Sequence, residues 1–170
     1  MNLSKATIIF GLFIVISASF MKQVLDFFYA SIGKQATVLA LGVSFVVIFA
    51  VLFWRIMGLK TANYRKLLFL IVLALGLYFS WSLKIVAERI HILEYGLLGY
   101  LASQDLFKNK FNFKSVLFIF ITLAIFAFLD EGFQYFLPYR VYDLRDIVFN
   151  LAGGSWGIGL FLIKKQGLLF

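Results

Sequence analysis

The chain has 170 residues, 63% of them hydrophobic and 19% aromatic, with a net charge of +8 and no cysteine. Such a composition excludes an ordinary soluble domain, and the lack of cysteine excludes disulfides and thiolate metal sites. In so apolar a chain the surplus Lys and Arg belongs in loops beside anionic lipid, not on nucleic acid.

Apolar runs close to the ~20 residues needed to cross a bilayer predict an all-α membrane bundle. Stretches such as Leu39 to Trp54 are apolar on every face, without the alternation of a membrane β-barrel. The reading gives six spans: Ala6 to Met21, Ala36 to Trp54, Leu67 to Ser82, Ile85 to Ala102, Ser115 to Phe133 and Ile147 to Ile163. Ser17-Ala18-Ser19 after an apolar run resembles a signal cleavage site, and cleavage there would leave five spans. Between the third and fourth spans, Phe79 to Lys84 offers no Gly or Pro turn signal. The only proline, Pro138, opens a short polar stretch read as a re-entrant or interfacial segment before the last helix. The chain has no Gly/Ser/Pro-rich linker and no repeat. It is divided into an N-terminal segment, 1–66, holding the first two spans and a cytoplasmic loop, and a helical core, 67–170.

Charge orients these spans. With six of them, Lys5, Arg55, Lys60, Arg65, Lys66, Lys108, Lys110, Lys114, Lys164 and Lys165 share one side with a single acid, Asp105. The other acids, Asp26, Glu88, Glu94, Asp130, Glu131, Asp143 and Asp146, gather on the opposite side with fewer basic residues. The positive-inside rule then places both termini in the cytoplasm and the acidic stretches outside.

Ionisable groups at membrane depth are costly and persist where they pair or act. Lys84, Glu88, His91 and Tyr95, spaced 4, 3 and 4, fall on one stripe of a helix, with Glu94 beside it and Arg89 facing away. Lys84 and Glu88 are spaced for an ion pair, and His91 for a hydrogen bond to a neighbouring carboxylate. The plainer reading is a polar interfacial face, with Lys84 and Arg89 snorkelling. At the end of the fifth span, Asp130 and Gln134 share a face while the adjacent Glu131 requires a cation or a proton. Arg140 and Arg145 are the nearest basic candidates in sequence. If the last helix starts near Tyr142, then Asp143, Asp146, Asn150, Gly153, Gly154 and Gly157 share one arc. That arc would both pack closely and carry acceptors.

The run from Glu88 to Leu101, then Asp130-Glu131-Gly132-Phe133-Gln134, Arg140, and Asp146 to Gly154, resembles the VanZ-like family of small membrane proteins. Pro138-Tyr139-Arg140 stands where that family's pattern has a Pro-Gly-Arg turn. The resemblance implies a multi-pass protein of the bacterial cytoplasmic membrane with an envelope role. The family takes its name from a member associated with low-level resistance to teicoplanin-type glycopeptides. It further implies membrane lipid as a partner, with a lipid-linked cell-wall precursor or a glycopeptide as candidates beside it.

Two functions fit these residues. In the first, a polar cluster that includes Tyr95, Gln134 and Asn150 holds the helices together or binds a head group, with Lys84, Arg140 and Arg145 receiving an anionic group and the carboxylates orienting those bases. In the second, an intramembrane enzyme acts on a lipid-linked phosphate, with His91 as acid/base, Glu94, Asp130 or Glu131 as its orienter and the two arginines as oxyanion clamp. Glu88-x-x-His91 has the spacing of half a bundle-type di-metal motif, but the chain holds one His, so no metal site is assigned. No cofactor is called for, and no Gly-rich phosphate loop points to a nucleotide.

Overall fold

The computed structural model describes residues 2–58, 62–107, 112–139 and 142–166. Among them are seven helices and no strand: α1 Lys5–Ser17, α2 Met21–Ile32, α3 Lys34–Met57, α4 Asn63–Ser82, α5 Val86–Leu106, α6 Phe113–Tyr135 and α7 Leu144–Gln166. The local signals behind these boundaries are ordinary ones. Ser4 caps α1 by accepting from the Thr7 N–H, and Asn112 caps α6 by accepting from Ser115. Gly33, at φ +84°, turns the chain between α2 and α3, where a residue with a Cβ would be strained.

Every predicted span is helical, with two differences. The first span stops at Ser17, and the chain resumes as α2, bent 61° from α1. The joint between α4 and α5 is made without Gly or Pro, by extended backbone at Leu83 and Ile85. Arg89 fastens it: its Nε donates to the Leu83 carbonyl and its guanidinium lies 4.5 Å over the Trp81 ring. Ser80 Oγ donates to the Arg89 carbonyl from the other side of the joint.

Four helices, α3, α4, α6 and α7, are long and apolar enough to cross a membrane, and the bent pair α1–α2 is a candidate fifth. The expected count of about six is not reached on those criteria. α1 has only 13 residues, and α5, with 21, carries Glu88, Arg89, Glu94 and Asp105. Yet α5 is the hub: it packs most extensively on α7 and also contacts α1, α4 and α6. A helix enclosed by its neighbours can hold polar groups that a lipid-facing helix cannot.

α5 and α7 run parallel, since Ile92 meets Gly153, Gly96 meets Gly157, Tyr100 meets Phe161 and Phe107 meets Lys165 in ascending order. Glycine lets the backbones touch. A Cβ on Gly153 would sit 2.6 Å from the Ile92 carbonyl oxygen, and on Gly99 or Gly157 it would strike the carbonyls of Gly154 and Gly96. The sequence pointed only to the α7 half of this contact; Gly96 and Gly99 supply the other half. Trp156 fills the notch left by Gly76 and Gly96 and donates its Nε1 to the Val72 carbonyl, 2.8 Å away.

α1 belongs to the same core. Ile14 joins Tyr95, Leu98, Leu123 and Phe126 in one buried cluster, with the Phe126 ring over Gly11. At the start of α1, Ser4 N–H and Thr7 Oγ1 donate to the Asp105 carboxylate near the end of α5, at 2.8 and 2.7 Å. Near that end, Lys164 donates to the Tyr100 hydroxyl and Lys165 to the Phe107 carbonyl. The first and last helices therefore begin and finish, respectively, at one basic end of the bundle. The starts of α5 and α7 and the finish of α6 mark the other, acidic end.

Candidate functional site

The acidic end brings together two parallel helix N-termini. Glu88 stands in the first turn of α5 and Asp146 in the first turn of α7, where the partial positive charge of a helix start favours carboxylates. Asp143, just before α7, accepts from the Arg145 N–H and caps the helix. α7 thus starts at Leu144, two residues later than expected from Tyr142. Glu88 has Asp146, Arg145 and Asp143 as charged neighbours.

α6 arrives antiparallel, so Asp130 and Glu131 sit near a helix C-terminus, where the dipole disfavours them. Both are fully buried. The Gln134 amide answers this by donating Nε2 to Asp130 Oδ1 at 3.3 Å and to Glu131 Oε1 at 3.1 Å. The Asp143 N–H donates to the second oxygen of Glu131 at 3.3 Å. An amide and a backbone N–H thus donate to the adjacent carboxylates. His91 Nδ1 lies 3.2 Å from Glu94 Oε2 and 3.8 Å from Asp130 Oδ2, linking α5 to α6. The buried Tyr95 hydroxyl has Asp130, Glu94 and Glu131 as its electrostatic neighbours.

Nearer the surface a cavity of about 230 Å3 opens, lined by Lys22, Glu88, Gln134, Tyr139, Asp143 and Asp146 among others. Two bonds close its rim across more than a hundred residues of sequence. Lys22 Nζ donates to the Tyr139 carbonyl at 3.1 Å, and the Tyr139 hydroxyl donates to the Ser19 carbonyl at 2.6 Å. Behind the cavity, one turn along α7 from Asp146, Asn150 is 0% exposed, and neither atom of its amide has a hydrogen-bond partner among the described residues. A buried amide left so is costly.

Most of the predicted site residues converge here. Glu88, His91, Glu94 and Tyr95 on α5 meet Asp130, Glu131 and Gln134 on α6 and the Asp146–Asn150 face of α7, whose Gly153, Gly154 and Gly157 form the α5 contact. Lys84 does not join them. It precedes the first residue of α5, is exposed, and makes no ion pair with Glu88 among the described residues. The expected stripe requires a helix already under way at Lys84, and that helix begins at Val86.

Arg145 is spent on Asp143, with Nη2 2.6 Å from Oδ2, and is 71% exposed. The Arg145 side chain and its backbone N–H hold the Asp143 carboxyl below the usual carboxylate range. Arg140 lies outside the described residues. Of the stretch read as re-entrant or interfacial, the described part is a short turn at Pro138 and Tyr139, both exposed. Among the described residues no group of three His, Asp or Glu is placed to hold a metal ion.

Lys22, Ser19 and Tyr139 escaped the sequence reading because nothing local links α2 to the α6–α7 loop. Asp143 was noticed on the polar arc but not as a cap. Its place directly before an apolar run was the available signal.

Among known families, VanZ/LLP1 matches residues 2–165. The match extends beyond the Lys84–Gly157 stretch that carried the resemblance and takes in α1 to α4. No curated protein and no solved structure matches the chain.

Proposed function

The chain belongs to the VanZ/LLP1 family, and on that premise we propose that it binds a lipid head group or cell-wall precursor at the outer face of the bacterial cytoplasmic membrane. Its role would be envelope maintenance or low-level resistance to teicoplanin-type glycopeptides, with both termini in the cytoplasm. The observation that carries the reading is the acceptor-rich cavity at the acidic end.

The lining also refines the ligand's chemistry. Glu88, Asp143 and Asp146 accept hydrogen bonds, Lys22 is already bonded to Tyr139, and Arg145 faces outward on Asp143. A ligand that presents amides, hydroxyls or an amine suits these groups better than a bare phosphate does. Sugar and peptide parts of a lipid-linked precursor have that character, as do amine- and hydroxyl-bearing head groups. Termini in the cytoplasm accord with Lys164 and Lys165 at the same end as the start of α1.

Native mass spectrometry of the protein in nanodiscs, offered a lipid-linked precursor and an anionic phospholipid of equal chain length, tests the binding. Asp146→Asn and Glu88→Gln should weaken the donor-rich ligand by about tenfold or more, since each loses a hydrogen bond to a charged acceptor. Equal retention of both lipids, unchanged in the two variants, would overturn the assignment.

The second reading, an intramembrane hydrolase or transferase, draws on the His91–Glu94 contact of 3.2 Å, a base with its orienter. His91 is buried and does not line the cavity, which favours the binding reading. Release of phosphate or product from a labelled polyprenyl-phosphate substrate by the purified protein, lost in His91→Gln, would reverse that preference.

A further inference from the structure

α2 is the one helix with no buried residue among those described, and it stands beside the cavity. Its 12 residues reach about 18 Å at 1.5 Å per residue. The topology leaves it no membrane to cross. α1 runs from Asp105 at the basic end to the Tyr139 loop at the acidic end, since Ser4 and Ser19 bond at those two places. α3 finishes beside the start of α4, where Lys66 donates to the Met57 carbonyl, and α4 runs on to Arg89 at the acidic end. With 24 residues, α3 makes the whole return crossing by itself. α2 therefore begins and ends at the acidic end, turned 61° from α1.

Its sequence divides by face. Val24, Phe28 and Ile32 recur every fourth residue with Leu25 beside them, whereas Lys22, Asp26 and Ala30 recur on the opposite side. Val24, Phe28 and Ile32 are exposed, and Phe27 extends the apolar arc at its edge. Lys22, on the polar side, reaches the cavity and the Tyr139 carbonyl.

We propose that α2 is an interfacial helix, with its Val24–Phe28–Ile32 stripe seated at the boundary of head groups and acyl chains of the leaflet at the acidic end. The occupant of that stripe is lipid. The exposed apolar faces of α1 and α3 on either side continue into the same surface, and an amphipathic helix of this kind binds in the membrane plane. The cavity then opens at head-group depth, with Lys22 held between leaflet and site. This inference goes beyond the binding reading and does not depend on which ligand fills the cavity.

The natural chain has no cysteine, so single-cysteine variants at exposed positions test it directly. Val24→Cys, Phe28→Cys, Ile32→Cys, Asp26→Cys and Ala30→Cys would carry a nitrobenzoxadiazole label in proteoliposomes with lipids spin-labelled at shallow or deep acyl positions. Val46→Cys in α3 serves as a crossing reference. Labels at 24, 28 and 32 should be quenched at least twofold more by shallow than by deep lipids, to a similar depth at all three. Labels at 26 and 30 should instead respond to aqueous iodide, and that at 46 to deep lipids. A depth that changes steadily from 24 to 32, or iodide access on both faces, would overturn the proposal. No ligand enters the measurement, so its failure leaves the binding reading standing, and failure of ligand binding leaves this inference standing.

Discussion

α3 and α7 are nearly equal in length, and both can cross a membrane, yet 6% of the α3 span is buried inside the protein against 44% of the α7 span. The difference follows from what each offers a neighbour. α3 presents bulky Val, Phe, Leu and Ile outward and keeps only Thr37 and Ile56 buried. α7 presents glycines that let α5 approach to backbone contact, and polar groups that need shelter. In lipid no hydrophobic force drives two apolar helices together, so close packing and polar contacts decide which helices associate. Apolarity puts a helix in the membrane; glycine and polar groups put it in the core.

The sharpest way to break this contrast is at a glycine. Gly157→Ala places a methyl against the Gly96 carbonyl and backbone of the facing helix, which cannot swing aside. We expect a destabilisation of about 3 kcal/mol or more, read as loss of monodisperse protein or a large fall in Tm in detergent. Gly132→Ala adds the same methyl into open space on α6 and should be neutral or gain about 0.5–1 kcal/mol from helix propensity. Equal effects from the two would refute close packing as the organising contact.

Next in size is Gln134→Leu, which strips one shared donor from two fully buried carboxylates. Its expected cost is about 1–3 kcal/mol for each acceptor left without its bond. The loss should lessen as pH falls, because a protonated carboxyl no longer demands that donor. Tm followed between neutral and mildly acidic pH checks this, and a pH-independent loss would place the role of Gln134 elsewhere.

Asn150→Leu sharpens the comparison in the opposite direction. Removing a buried amide without partners among the described residues should stabilise the protein by about 1 kcal/mol, read as a rise in Tm. A fall in Tm would instead show that the amide holds the helices together. The smallest effect belongs to α3: Val46→Ala, exposed to lipid, should change stability by no more than about 0.5 kcal/mol.

Much of the site was legible because it was written locally. Glu88, His91 and Tyr95 follow helical spacing, and all three are buried. Asp130 and Gln134 at i, i+4 do share a bond. Lys84 failed because a spacing rule holds only inside a helix, and it lies two positions before the first helical residue, Val86. For a different reason, Arg145 is not the counter-charge of Glu131. Arg145 found its carboxylate two residues away, at Asp143, while Gln134 and the Asp143 N–H donate to Glu131.

Hydrophobicity and helical period, both local quantities, were enough to predict membrane helices, their approximate limits and the gathering of acids at one end. The tertiary structure alone decided that α5 and α7 run parallel and touch through glycine on both sides. That pairing aligns two helix dipoles, so Glu88 and Asp146 lie at positive ends while Lys164 and Lys165 complement the negative ones. It also decided that α2 returns to the cavity through Lys22 and Tyr139. A contact between residues more than a hundred positions apart depends on the path of every helix between them, and no local pattern records that path.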